Sequence, residues 1–64
     1  MTTVLAKNVE VGDHISVYRS SMIGEVREVI YDKDLDRVVI HFYNGVPGSI
    51  SVKAGQTLYI WGQE

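Results

Sequence analysis

The chain contains no cysteine, one proline (Pro47) and no block of like charge among its 64 residues. Without cysteine no disulfide framework exists, so a domain this small relies on its core, a metal or a partner. A chain of this length buries only about 60% of the surface its unfolded form exposes, which leaves it marginal or shared with a partner. No apolar run is long enough for a signal peptide or a membrane span, and the expectation is a soluble cytoplasmic protein. The basic residues Lys7, Arg19, Arg27, Lys33, Arg37 and Lys53 are scattered, and the net charge is −2. Nucleic-acid binding rests on clustered cations that displace counterions, so a DNA or RNA partner is disfavoured.

Signatures of chemistry are missing as well. Asp32, Asp34 and Asp36 match the first three ligand positions of an EF-hand, but Arg37 stands where the loop needs glycine and Tyr43 where it needs glutamate. The same aspartates suit a solvated turn held by side-chain to backbone hydrogen bonds. His14 and His41 are the only imidazoles, with no third ligand beside them, so no metal and no cofactor is expected. Ser20, Ser21, Ser49 and Ser51 lie in a polar loop or alternate with apolar residues, a structural pattern without a base or an oxyanion hole. No enzymatic activity is expected.

What is present is period-2 alternation between turn signals, which predicts an all-β domain over residues 1–64. After the Gly12-Asp13 turn, "HISVYR" directs Ile15 and Val17 one way and His14, Ser16 and Tyr18 the other. Arg19-Ser20-Ser21 reads as a loop. In "GEVREVIYD" the phase slips, and a bulge near Arg27-Glu28 would bring Val29 onto the side of Val26 and bend the strand. "RVVIHFY" alternates Val38, Ile40 and Phe42 with Val39, His41 and Tyr43, the pattern of a central strand. Asn44-Gly45 suits a two-residue hairpin, with the return strand starting after Pro47. "SISV" points Ile50 and Val52 inward, "KAGQ" makes a turn, and "TLYIW" sets Leu58 and Ile60 against Thr57, Tyr59 and Trp61.

The succession "VEVGDHISV", "GEVREV", "VVIHFYNG" and "KAGQTLYIW" resembles an SH3-like small barrel. It is similar to the short barrel proteins of actinobacterial phages and to KOW-type modules. The resemblance implies five strands, a bent second strand, and a short 3₁₀ turn over Lys53 to Gln56 before the last strand. It also implies a bacteriophage source or, for the KOW type, a transcription or translation role.

Most informative is the side opposite the expected core. Tyr18, His41, Tyr43, Tyr59 and Trp61 all fall there, and Tyr18 would neighbour Tyr59 or Trp61 if the first and last strands pair. Tyr and Trp supply large rigid contact area with a polar handle, which favours them at interfaces. These five are the expected partner-binding residues, for another protein or a second copy. The competing reading is that the rings cover their own sheet.

Overall fold

The computed structural model describes residues 2–17, 24–43 and 48–61. Its strands are β1 (Thr2–Leu5), β2 (His14–Ser16), β3 (Gly24–Asp32), β4 (Arg37–Phe42), β5 (Ser49–Lys53) and β6 (Thr57–Ile60), with no α-helix among the described residues. All pairings are antiparallel, in the order β1-β6-β2-β3-β4-β5.

Alternation decides the core. Val38, Ile40 and Phe42 of β4, Leu58 and Ile60 of β6, and Ile15 of β2 are buried, as their spacing predicts. Val26, Val9, Ala6 and Ala54 complete the cluster, and Val29, Ile50 and Val52 pack against it half-buried. The bulge falls where the phase slipped. Val26 pairs with Phe42, but Glu28 pairs with His41, so β3 spends one extra residue, Arg27, on a single step of β4. Val26 and Val29 therefore reach the same side although they are three apart, and Ile30 turns outward to pair with Val39. β3 thus serves two halves, its start beside β2 and its end beside β4.

Three expectations need correction. The described residues form six strands rather than five, because Thr2–Leu5 adds a strand on the far side of β6. Two threonines and a valine favour strand, but four residues are too few for alternation to register. Second, the ladder is open rather than closed, ending at β1 and β5 among the described residues. Third, the 3₁₀ helix is Ala6–Asn8, directly after β1. Before β6 there is only a turn, in which the Gln56 amide donates to the Lys53 carbonyl at 2.9 Å.

Two turns are specified by single residues. In Glu10–Asp13 the Asp13 amide donates to the Glu10 carbonyl at 3.1 Å, and Gly12 has φ +98°. That region suits glycine because no Cβ meets the backbone there. Buried Asp13 returns a bond, its Oδ2 accepting from the Glu10 amide at 3.0 Å. Between β3 and β4, Asp32 Oδ1 accepts from the Asp34 and Leu35 amides at 3.0 and 3.2 Å. The acidic stretch is a turn built on a side-chain acceptor, and among the described residues no three His, Cys, Asp or Glu side chains converge on a metal position. Asn44-Gly45, Pro47 and the Arg19-Ser20-Ser21 loop lie outside the described residues.

Candidate functional site on the outer sheet face

Register determines which side chains stand together on the outer face. β6 pairs with β2 so that Tyr59 opposes Ser16, and the Trp61 amide donates to the His14 carbonyl at 2.7 Å. β2 pairs with β3 so that His14 opposes Glu25. Tyr43 follows on β4, its amide donating to the Glu25 carbonyl at 3.0 Å. One row therefore crosses four strands, Trp61–His14–Glu25–Tyr43. Below the bulge a second row runs Glu28–His41–Ser49, and a third runs Ile30–Val39–Ser51.

Four of the five expected partner-binding residues share this face, but in two groups. Three strand spacings, about 14 Å, separate the backbones of Trp61 and Tyr43. Tyr59 lies between Thr3 and Ser16, near Trp61, while His41 lies two residues from Tyr43 on β4. Tyr18 lies outside the described residues.

The two groups are dressed differently. The Trp61 indole N–H donates to Ser16 Oγ at 2.9 Å, and Ser16 is fully buried although alternation turns it outward. Trp61 and Tyr59 are half-buried. Here the rings cover their own sheet, and the polar handle of the indole is already used. Tyr43, by contrast, is 56% exposed, with half-buried His41 beside it. No alternation pattern reports that Ser16 is buried, because the cover comes from a residue 45 positions along the chain.

Charge around the exposed group is mainly acidic. Glu25 and Glu28 flank Tyr43 and His41 across β3, with Arg27 at the bulge. Glu25 Oε1 lies 3.7 Å from His14 Nε2, an attractive pair when the imidazole is protonated. Glu28, His41 and Ser49 lie in register across three strands, the residue types of a hydrolytic triad. Among the described residues, however, no hydrogen bond joins His41 to Ser49. Ser49 is exposed on β5, the edge strand of the described ladder, open to water rather than desolvated as a nucleophile would be.

Arg37 supplies a polar clamp at the β5 side. Its Nε donates to Ser51 Oγ at 3.2 Å and its Nη2 to the Ser51 carbonyl at 3.0 Å. No described helix is long and apolar enough to cross a membrane. No family model, curated protein or solved structure matches the chain.

Proposed function

We propose that the chain is a non-enzymatic, SH3-like interaction module of the cytoplasm that holds a protein partner on the Tyr43 end of its outer face. The SH3-like reading is supported by the bulged strand β3, shared by two halves, and by the run β6-β2-β3-β4-β5, with β1 as an addition outside it. The bacteriophage source stays part of the proposal on the strength of the residue resemblance.

The observation that carries the function is the exposure of Tyr43 beside His41, bordered by Glu25 and Glu28. An exposed phenol ring attracts a cation over its face, and two carboxylates add to that attraction. The partner is therefore a protein surface carrying lysine or arginine. The same carboxylates repel phosphates, which weighs against the KOW-type nucleic-acid role.

The test is affinity capture from the native host with wild type and with Tyr43→Ala combined with His41→Ala. Wild type should retain a protein that the double variant loses, and rising salt should weaken retention. Equal retention by both, or binding of DNA or RNA in a low-salt gel shift, refutes the reading.

A further inference from the structure

The two free edges of the sheet are not equivalent. In an antiparallel ladder, residues that bond to the neighbouring strand alternate with residues whose amide and carbonyl point away. At the β5 edge the Phe42 amide donates to the Gly48 carbonyl and the Ala54 amide to the Asp36 carbonyl. The alternation then turns Ser49, Ser51 and Lys53 outward. Arg37 occupies the Ser51 carbonyl and the Gln56 amide occupies that of Lys53. Two of these three outward acceptors are taken, and two cations, Arg37 and Lys53, oppose each other across the ladder. Such charges and capped groups blunt an edge against further strands.

β1 is less protected. The Ala6 amide donates to the Gln56 carbonyl at 2.8 Å, so by alternation Val4 and Thr2 also bond to β6, while Thr3 and Leu5 turn their amides and carbonyls outward. The Leu5 carbonyl caps the 3₁₀ helix, where it accepts from the Asn8 amide, while among the described residues nothing occupies the Leu5 amide or the two backbone groups of Thr3. Thr2–Leu5 holds no charge and no proline, and the Leu5 side chain is 37% exposed.

We propose that β1 is a self-association edge, pairing antiparallel with β1 of a second copy about a two-fold axis at Val4. In that register Thr3 of one copy faces Leu5 of the other, twice. The Leu5 amide of each copy then donates to the Thr3 carbonyl of the other, two new hydrogen bonds between unoccupied groups, with the Thr3 amide reaching the Leu5 carbonyl as a second donor, and none of the β1–β6 bonds is disturbed. Thr3 and Leu5 share the outer face, so Leu5 of the second copy settles beside Thr3 and next to Tyr59. Uncharged strands bring no like-charge repulsion to this pairing, whereas two β5 edges would bring their cations together. A 64-residue chain gains the burial that a small core lacks. The edge is separate from the Tyr43 group, so either proposal stands or falls without the other.

Sedimentation equilibrium over a concentration series should show a concentration-dependent species of twice the 7.2 kDa chain mass. Thr3→Pro removes an outward amide but no β1–β6 bond, and Leu5→Lys places a charge at the two-fold. Each should weaken association by about tenfold or more while the circular dichroism of the fold persists. In wild type, amide exchange at Thr3 and Leu5 should slow as concentration rises, with Val4 protected throughout; this readout needs no variant. A chain that stays monomeric into the millimolar range overturns the proposal. So does a dimer in which Thr3 and Leu5 exchange as fast as in the monomer, or one that Leu5→Lys leaves intact.

Discussion

The outer face over β6 and β2 and the outer face over β3 and β4 follow the same alternation, yet they do different work. Over β2, Trp61 bonds to Ser16 and closes the face, so a serine on the non-core side is fully buried. Over β4, Tyr43 stands largely in water, and Ile30 on the neighbouring strand is 47% exposed. Alternation says which side of a sheet a residue occupies. Whether that side is wet depends on what crosses over it, and among the described residues such a cover stands over the first half.

The bulge separates these halves, and putting β3 out of phase there should have the largest effect. Deleting Arg27 alone lets β3 run in step with β4 and leaves Val29 opposite Ile40, whereas deleting Arg27 and Glu28 together takes out one residue too many. Every residue after the double deletion then changes face, with Ile30 and Asp32 driven toward the core and Val29 and Tyr31 away from it. Burying an unpaired aspartate and exposing half the core side of β3 exceeds what a domain of this size can lose. The expected outcome is a chain without a cooperative urea transition. A cooperative transition of the double deletion near the wild-type midpoint would show that the faces of β3 do not fix its register.

The contrast between the two groups of rings gives the next effect. Trp61→Ala removes a half-buried ring and uncovers Ser16, a loss of about 2–3 kcal/mol. Ser16→Ala leaves the ring but strands the indole N–H, at about 1 kcal/mol. Tyr43→Ala should fall within about 0.5 kcal/mol of wild type, since little packs on it. Urea unfolding followed by circular dichroism measures all three on one scale. If Tyr43→Ala costs as much as Trp61→Ala, the two halves are dressed alike and Tyr43 is part of the cover. The ordering also bears on binding studies, because a loss of partner in Trp61 variants would mix folding with recognition.

Much of this was legible from residue order. The alternation of Val38 to Tyr43, the inward set Ile15, Leu58 and Ile60, and the slipped phase at Arg27-Glu28 all carry local signals, and all reappear in the fold. What escaped is long-range. β1 has meaning only against β6, and Ser16 only under Trp61, each more than 40 positions away. Ala6 and Ala54 are small and lie outside regular alternation, so burial at the junction of the 3₁₀ helix and the β5–β6 turn left no periodic trace. The five-residue binding set was read as one surface because alternation cannot see that four strands lie between Tyr43 and Trp61, counting their own.

The finest expected differences lie among substitutions at the loop that joins the open half together. Asp36 has φ +54°, a left-handed conformation, and its carbonyl accepts from the Ala54 amide at 3.0 Å. The strained residue thus ties the β3–β4 turn to the start of the β5–β6 turn, where Ala54 is buried. Aspartate and asparagine tolerate this conformation better than other side chains, and glycine does so without steric cost. Asp36→Ala should therefore lose about 1 kcal/mol, because its Cβ meets the following carbonyl without local hydrogen bonding in return. Asp36→Asn should stay within about 0.3 kcal/mol of wild type, and Asp36→Gly within about 0.5, relieved strain offsetting the added freedom of the unfolded chain. The three are compared by thermal melts at fixed pH and salt. If alanine is as stable as asparagine, the left-handed turn is not what holds β4 and β5 to the core. The closed half would then be held by the Trp61–Ser16 bond, and the open half by the Arg37 clamp on Ser51 rather than by its left-handed turn.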